Sequence, residues 1–528
     1  MNYLKKNFRI FIGLIVISVM TGSCKKVLDV LPFTSFSDAT AFTTPARVES
    51  AMNGVYDAAQ SGFYAGGQVR GYPFGAANIE QGDMRGEDML NNALFYQITY
   101  EATYSPTSAN QEFMFNTLYG LINKANLTMD GVNEAKANGV ITEAKANQYL
   151  GESRFLRALA HHELVINYAR PYSDGNGSKL GIVYREAGVN SAAKVEEAKS
   201  QKRSTVAENY TKILEDLDFA EQNLPVVVEK TFRASKGAAI ALKTRVKLHM
   251  QDWQGVIAEG NKLVPASTPF VSPIGGYRLM PNPGDPFVLP GTTDENIFSI
   301  RNAATDNPGV NGALANMLGS PATGGRGLVR ISPIAFNLPA WNCDDKRRSL
   351  LVTIGTGNAI NYVTTKYKDP ATSSDPAPQI RYAEVILNLA EAEARNSATG
   401  SLRAIALLNA VRNRALADPA TQQYTVANFL TSTDLIGAIL VERRIEFLAE
   451  GRRWADIHRL APDPVFGGGI PAKIGTGAAT TSMYQCKAGS SVYTTAVAAI
   501  PYSDFRFIWP IPLSETQENP DFEQNPGY

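Results

Sequence analysis

The chain has 528 residues, of which 44% are hydrophobic and 19% are charged, and its 50 Lys and Arg balance its 50 Asp and Glu. This apolar fraction is enough for a large buried core and excludes general disorder. Zero net charge argues against a nucleic-acid binder, because such a protein needs surplus cations to neutralise phosphates. Three cysteines and four histidines leave few soft metal ligands.

Residues 1–23 have the features of a secretory signal peptide: three cations without an acid, an apolar run over residues 10–20, and then small residues. As a helix that run covers about 16 Å, about half of what a membrane span needs. Cys24 follows directly, as in bacterial lipoprotein signals, where the thiol is diacylated and becomes the first mature residue. Ordinary cleavage nearby, leaving Cys24 a free thiol, is the alternative.

Removal of the signal leaves 47 basic and 50 acidic residues, a net charge of −3 on the mature chain. Lys25 follows the cysteine, so the Asp that signals inner-membrane retention in many such lipoproteins is absent. The sequence therefore predicts a lipid anchor in the outer membrane. In an exported protein Cys343 and Cys486 could form a disulfide, and two buried thiols are an equal alternative.

Apolar residues at helical spacing predict helices separated by irregular segments. In the first of these helices Thr43 or Thr44 can cap, Pro45 suits the first turn, and Val48 and Met52 share a face. The predicted helices cover 36–60, 107–137, 141–169, 203–224, 235–252, 380–397, 401–417 and 431–460. The Gly-, Tyr- and Pro-rich stretches 61–104 and 265–345 have no sustained period and predict long loops, and small residues dominate 461–528.

The predicted helices come in consecutive pairs that short turns could make antiparallel. One pair runs from Glu384 to Arg395 and from Leu402 to Leu416, with alanines that allow close approach. This pattern is typical of tetratricopeptide-like repeats, and ordinary hairpins of a helical bundle are the alternative. We expect a mainly α fold with few short strands, in which loops on a rigid scaffold carry binding.

Motifs for catalysis and metal binding are incomplete. His161-His162-Glu163 starts a zinc-protease helix, but the second histidine should stand at position 166, which is Ile. The run that begins at Asp174 resembles a calcium loop, yet its twelfth position is Arg185 rather than Glu. No phosphate-binding loop or nucleophile elbow is present. The sequence therefore predicts a protein without catalytic residues, metal or cofactor, and a structural calcium ion is not indicated.

Glu442, Glu446 and Glu450 lie four residues apart, so they would stack on one helix face. A carboxylate metal site or an acid–base pair is conceivable. Four arginines lie within the same fifteen residues, which also contain Asp456, and could neutralise the three glutamates. We therefore favour a structural ion-pair cluster, and we interpret His249 and His458 as packing or capping residues.

Aromatic and polar residues crowd both predicted loop regions. The first contains Phe63, Tyr64, Tyr72, Phe74, Tyr96, Tyr100 and Tyr104. Sugar rings stack their C–H faces on aromatic planes, and their hydroxyls need carboxylate, amide or guanidinium partners. Packing in the core is the alternative for these aromatics. The residues predicted to contact a glycan are Asp83, Arg85, Asp88, Tyr96, Trp341 and Asn342.

Several segments together resemble the SusD/RagB family of outer-membrane lipoproteins of Bacteroidetes. Besides the signal that ends at Cys24, they span the mature chain in order. They are Phe42–Arg47, Gly54–Tyr56, Gly151–Ala158, Tyr168–Pro171, Leu248–Trp253, Tyr382–Ala392, Leu407–Ala415, Glu442–Asp456, Ile511–Pro512, Asn519–Pro520 and Asn525–Tyr528.

The resemblance implies one domain over 24–528, built on about four tetratricopeptide-like helix pairs in a right-handed superhelix. The scaffold would cover about 36–60, 107–260 and 380–460, with ligand-binding insertions at about 61–105 and 265–345. The resemblance also implies a non-enzymatic, cell-surface protein that binds oligosaccharides and passes them to a SusC-like TonB-dependent transporter. It transfers no sugar contacts, because the family's binding loops diverge.

Two alternatives remain open from the sequence. A secreted glycan hydrolase would need two carboxylates about 5–9 Å apart in a cleft, which a sequence cannot measure. A surface scaffold or adhesin would have no small ligand. The absence of a catalytic motif favours binding.

Overall fold

The computed structural model describes residues 40–226, 231–397 and 401–528. The predicted signal peptide, Cys24 and the first residues of the predicted helix 36–60 lie outside this part of the chain. Helices make up about 49% of the protein, with 17 helices and a few short strands in the described residues. The prediction of a mainly α fold is confirmed.

The first nine helices lie in the N-terminal half of the chain. They are α1 (Pro45–Gln60), α2 (Ala76–Met84), α3 (Gln97–Glu101), α4 (Ala109–Ala137), α5 (Glu143–Tyr168), α6 (Ala192–Lys199), α7 (Val206–Asn223), α8 (Lys236–His249) and α9 (Trp253–Leu263). The others are α10 (Leu314–Leu318), α11 (Pro333–Phe336), α12 (Tyr382–Arg395), α13 (Leu402–Asn413), α14 (Pro419–Gln422), α15 (Ser432–Glu446), α16 (Arg453–Leu460) and α17 (Leu513–Glu518).

Eight short strands form four separate antiparallel pairs in the described residues. They are β1 (Met89–Asn91), β2 (Asn296–Ile300), β3 (Val329–Ile331), β4 (Leu351–Ile354), β5 (Asn361–Thr364), β6 (Ala377–Arg381), β7 (Gly469–Ile470) and β8 (Ile500–Pro501). The pairs are β1–β3, β2–β6, β4–β5 and β7–β8. The first pair, with Leu90 opposite Arg330, joins the two regions that the sequence predicts to be loops.

Helix α1 shows how local sequence sets an element. The Thr44 hydroxyl accepts a hydrogen bond from the backbone N–H of Arg47 at 3.4 Å, and Pro45 occupies the first turn. Val48, Met52 and Val55 point into the core, as their spacing predicts. Amphipathic periodicity and capping together therefore fix both the start and the buried face of this helix.

Helices pack mainly against their neighbours in the chain. Helix α4 packs on α5, α8 on α9, and α12 on α13, while α7 joins α5 to α8 and α9 contacts α12. Helix α15 then packs on α12 and α13. This succession of helix pairs matches the tetratricopeptide-like arrangement expected from the sequence.

The single predicted helix at 431–460 is in fact two helices, α15 and α16. The chain turns between them through Ala449 and Gly451, both with positive φ. A Cβ on Gly451 would lie 2.8 Å from the Cα of Ile79 in α2, so this turn also needs a residue without a side chain. The region 61–104 also departs from the prediction of loops, because it contains α2, α3 and β1.

A disulfide joins Cys343 to Cys486, whose Cα atoms are 5.7 Å apart. The sequence left a bridge and two free thiols open, and the structure has the bridge. It ties the long segment before β4 to the C-terminal segment across 143 residues of chain.

A buried ion-pair cluster connects these elements. Its carboxylates are Asp345, Glu295, Glu442, Glu446 and Glu450, and its cations are Arg347, Lys366, Arg381, Arg412 and Arg414. All ten residues are buried. Burial alone would raise the pKa of Glu446, but the guanidinium groups around it hold that pKa far below its ordinary value.

This cluster supports the ion-pair interpretation of the three glutamates but changes their partners. The sequence assigns them to cations within the same fifteen residues, whereas their partners come from distant segments. The nearby cations Arg443 and Arg444 instead pair with Asp456 and Asp88. Glu450 lies beyond the end of α15, so the three glutamates do not share one helix.

We expect Arg381→Leu to lower the free energy of unfolding by about 3–5 kcal/mol, because it removes one of the cations that neutralise the buried Glu295, Glu446 and Glu450. The Arg381 side chain donates to both oxygens of Glu450 at 2.8 Å and to Glu446 at 3.0 Å. Urea unfolding at pH 7 measures the change. Arg506→Leu is the matched control, since Arg506 is exposed and its pair with Asp504 contributes less than about 1 kcal/mol. Equal losses in the two variants would contradict a special role for the buried cluster.

Candidate functional site

The structure buries five of the six residues predicted to contact a glycan. Asp83, Arg85, Asp88, Tyr96 and Trp341 are each at most 2% exposed, and Asn342 is partly exposed. A residue without accessible surface cannot stack on a sugar or bond to its hydroxyls. The buried five therefore have internal roles, which corrects the expectation that they face a ligand.

Arg85 is part of the core. Its guanidinium carbon lies 3.3 Å from the ring centroid of Trp454 and 4.6 Å from that of Trp509. It donates to the side-chain oxygen of Asn167 at 2.7 Å and to the carbonyl of Phe507 at 2.8 Å. Burial lowers the pKa of Arg85 to about 10, so the side chain stays charged at neutral pH and joins α2 to α5, α16 and the C-terminal segment.

Asp88 and Asp83 both face the start of α16. Asp88 pairs with Arg444 and lies 3.5 Å from Arg453, so its charge is used internally. Asp83 Oδ1 accepts from the backbone N–H of Arg453 at 3.4 Å, and its Oδ2 has no hydrogen-bond partner in the described structure. Burial raises the pKa of Asp83 to about 7.

Trp341 and Asn342 lie beside the disulfide. The Arg348 guanidinium carbon is 4.2 Å from the Trp341 ring centroid, and Arg348 also donates to the backbone carbonyls of both residues. Asn342 Oδ1 accepts from Lys487 Nζ at 3.3 Å. The contacts with Arg348 thus hold the Trp341–Asn342 segment in place. The glycan-binding role of Asn342 stays a prediction.

A different group of aromatic residues reaches the surface in the first insertion. We call it the aromatic platform, and it consists of Phe63, Tyr64, Phe95 and Phe113 with the guanidinium groups of Arg70 and Arg326. Phe63 is 49% exposed, and the other three rings are half-buried at the edge of the core. Phe63 and Tyr64 belong to the aromatic group that the sequence singles out.

The rings and cations of the platform are in contact. The Tyr64 and Phe113 centroids are 4.4 Å apart, and Phe63 meets Phe113 edge-on at 6.1 Å. The Arg70 guanidinium carbon lies 3.9 Å from the Tyr64 centroid and 4.8 Å from that of Phe95. Arg326 lies 5.1 Å from the Phe95 centroid on the other side. Cation–π contacts therefore hold the platform together.

Local turns explain this arrangement. Gly66 and Gly67 both have positive φ, and the Tyr64 N–H donates to the Gln68 carbonyl at 2.7 Å, so the chain reverses and brings Arg70 back over Tyr64. The one-turn 3₁₀ helix at residues 94–96 directs Phe95 outward, whereas Tyr96 points into the core. The β1–β3 pair brings Arg326, which shortly precedes β3, beside these rings.

The platform has aromatic faces and positive charge without an exposed acid among its members. Among the residues that the structure describes, Arg70 makes one long side-chain bond, 3.5 Å to Gln68, and Arg326 donates to Asn311 at 2.7 Å. Glu80 is buried, and burial raises its pKa well above the ordinary value although the Arg326 charge opposes this. The surface can therefore stack a sugar ring and donate hydrogen bonds to it.

Sequence reasoning missed Phe95, Phe113, Arg70 and Arg326 and chose Tyr96 instead of its neighbour. Residue chemistry cannot decide which of two adjacent aromatic residues points outward in a short 3₁₀ turn. The Gly66-Gly67 pair was the available signal, because two such glycines between aromatics and an arginine favour a tight surface turn.

The described residues contain no group of three or more His, Cys, Asp or Glu side chains placed to hold a metal ion. His162, His249 and His458 do lie together, with ring centroids 4.8 and 6.3 Å apart for successive pairs. Burial lowers the pKa of His162 and His458 to about 3, so both are neutral at pH 7. They are packing residues, in line with the interpretation of His249 and His458 as packing or capping residues.

Comparisons with known proteins agree with this architecture. A family model described as "SusD family" (SusD/RagB) matches residues 353–528, and one described as "Starch-binding associating with outer membrane" matches residues 27–248. The SusD-like protein P38 of Formosa agariphila is 26% identical over 500 residues, covering 86% of this chain and 91% of that protein.

Solved structures have the same fold. A SusD superfamily protein from Bacteroides fragilis is 27% identical, with a TM-score of 0.73 over 92% of this chain and all of that one. A laminarin-binding SusD-like protein is 19% identical, with a TM-score of 0.65 over 92% of this chain and all of that one.

A tetratricopeptide-like helical scaffold is the fold of the SusD superfamily, and this chain has it. Over residues 27–248 and 353–528 the chain is similar to SusD and SusD-like families, whose members bind carbohydrates. The family description also includes association with the outer membrane. No helix in the described ranges has both the length and the hydropathy to cross a bilayer.

Asp83→Asn tests the electrostatic assignment of the buried carboxyl. The unfolded chain ionises this group near pH 4 and the folded chain near pH 7, so wild-type stability falls as pH rises between these values. We expect the variant to gain stability relative to wild type by a few kcal/mol between pH 5 and pH 8, measured by urea unfolding. Asp88→Asn is the contrast and should lose stability at pH 8, because Asp88 pairs with Arg444. A constant difference between wild type and Asp83→Asn across this range would contradict the assignment.

Proposed function

We propose that this protein is a lipid-anchored, cell-surface glycan-binding protein that holds oligosaccharides on the aromatic platform without chemical change and without a cofactor. The observation that carries the proposal is the platform itself, with solvent-accessible rings and two guanidinium groups beside them. The starch-binding description of the matched family and the laminarin-binding structural relative support the ligand class.

The platform would recognise a sugar by two kinds of contact. The C–H face of a pyranose ring stacks on Phe63 or Tyr64, which gives affinity with little dependence on linkage. The Arg70 guanidinium lies beside Tyr64 and Phe95, and Arg326 presents its fork beside Phe95, so the terminal N–H groups of both could donate to ring or hydroxyl oxygens of a sugar. Such an open surface suits one stretch of a longer chain.

Delivery to a transporter extends this proposal. A lipid on Cys24 would place the protein at the outer membrane, where a SusC-like TonB-dependent barrel would take up the bound oligosaccharide. The similarity to SusD-like families, one of them described as associating with the outer membrane, supports this location. The chain's own scaffold leaves its long loops outside the packed helix pairs, where partner and ligand can reach them.

Alanine substitutions in the platform should weaken glycan binding. We expect Tyr64→Ala and Phe95→Ala each to cost about 1–3 kcal/mol, by analogy with stacking of bases on aromatic side chains. Calorimetry and affinity gels with starch, laminarin and other polysaccharides measure the effect. Phe429→Ala is the control, since Phe429 is a half-buried aromatic in the distant segment before α15.

Thermal unfolding of each variant shows whether the fold survives. Unchanged binding in both platform variants would refute the platform as the site. Release of reducing ends from a bound polysaccharide over time would favour the hydrolase, and absence of binding to every polysaccharide would favour the scaffold.

Cys24→Ser should release the protein from the outer membrane. We expect wild type in the membrane fraction, sensitive to protease added to intact cells, and the variant in soluble fractions. Co-purification from detergent-solubilised membranes tests for a TonB-dependent transporter. Membrane retention of the variant, or protection of wild type from external protease, would contradict the proposed location.

A further inference from the structure

A cleft of about 730 Å³ lies between α1 and the segments near Phe232 and residues 290–306. We call it the α1 cleft. Tyr56, Asp57 and Gln60 line it from the helix, and Arg301 and Asp306 line it from the opposite side. Its volume is within the range of small-molecule sites in proteins. None of the aromatic platform residues lines it.

The walls of the cleft are built by internal hydrogen bonds. Gln60 is 5% exposed, and its amide donates to the carbonyl of Arg301 at 2.7 Å and to that of Asp306 at 3.0 Å. Tyr56 donates to Glu152 at 2.7 Å and accepts from the Ala234 N–H at 2.9 Å. These bonds hold the 301–306 segment and the Tyr56 ring in place before any ligand arrives.

One cation of the lining is already neutralised. Arg233 donates to Glu152 at 2.6 and 3.1 Å, and also to Glu49 and Asn53 at 2.8 Å. The charge of Arg233 is therefore neutralised by residues within the wall of the cleft. Its guanidinium carbon also lies 5.0 Å from the Tyr56 centroid, which covers part of that ring.

Three other charged side chains of the lining make no ion pair among the described residues. Asp57 and Asp306 have no ion pair or side-chain hydrogen bond within the described ranges, and burial together with the charge of Asp306 raises the pKa of Asp57. The Arg301 guanidinium carbon lies 5.7 Å from the Phe232 ring centroid, and Arg301 has no carboxylate partner among the residues that the structure describes. The cleft thus combines two carboxylates, one guanidinium group and aromatic surface. The three charged groups make no ion pair within the described part of the chain.

We propose that the α1 cleft is a second carbohydrate site, separate from the aromatic platform, which takes a short uncharged sugar. Adjacent hydroxyls of a sugar can donate to Asp57 and Asp306 and accept from Arg301, while a C–H face packs on Tyr56 or Phe232. An acidic sugar is disfavoured, because two unpaired carboxylates would repel it. The inference goes beyond glycan capture on the platform and does not depend on it.

The test uses the full mature chain carrying Tyr64→Ala and Phe95→Ala, so that platform binding is removed. Saturation-transfer NMR and calorimetry with maltose, cellobiose and galacturonic acid report binding. We expect at least one neutral disaccharide to bind and galacturonic acid to bind more weakly. Adding Arg301→Ala or Asp306→Ala should weaken the neutral sugar at least tenfold.

Asp130→Asn is the matched control, because Asp130 is an exposed aspartate on α4 that does not line the cleft. It should leave binding unchanged, and thermal unfolding checks the fold of every variant. The inference is overturned if neither disaccharide binds, if the cleft variants bind like the control, or if galacturonic acid is preferred. Monosaccharide release that Asp57→Asn abolishes would overturn a binding-only role for the cleft. Since the platform is already disabled, each of these results is independent of the proposed platform function.

Discussion

Complete pairing of the charges in the buried central cluster is the constraint on which this fold depends. Each charge in the central cluster would cost several kcal/mol to bury alone, so the five carboxylates and five cations are tolerable only when all are paired. Glu446 illustrates this, because it contacts Arg347, Arg381 and Arg414 from three different segments. The loop before β4, the end of β6 and the end of α13 must therefore dock together on α15.

This constraint separates the rigid part of the protein from the variable part. The scaffold is held by apolar helix contacts and by the charge cluster, both of which tolerate few changes. Fewer contacts position the aromatic platform. A glycine turn, a one-turn 3₁₀ helix and the short β1–β3 pair place its rings. Binding surfaces of different chemistry can thus be mounted on one scaffold.

The sequence predicts the long helices well because they have periodic apolar residues and several have a recognisable cap, as in α1 with Thr44 and Val48. It predicts the candidate site poorly for a physical reason. Asp83, Arg85 and Tyr96 have the residue types of a sugar site, but distant partners such as Trp454 bury them. Which polar residue is buried depends on tertiary contacts that no local pattern contains, so the side chains chosen from the sequence include buried ones.

The zero net charge of the chain does not show that its two candidate binding surfaces differ in local charge. Arg70 and Arg326 give the platform positive charge, and the buried Glu80 below it favours its neutral form because burial raises its pKa. The α1 cleft has the opposite character, since Asp57 and Asp306 make no ion pair among the described residues. Most other buried charges cancel within the core. Ionic groups that face the surface can therefore differ in sign between two regions of one neutral protein.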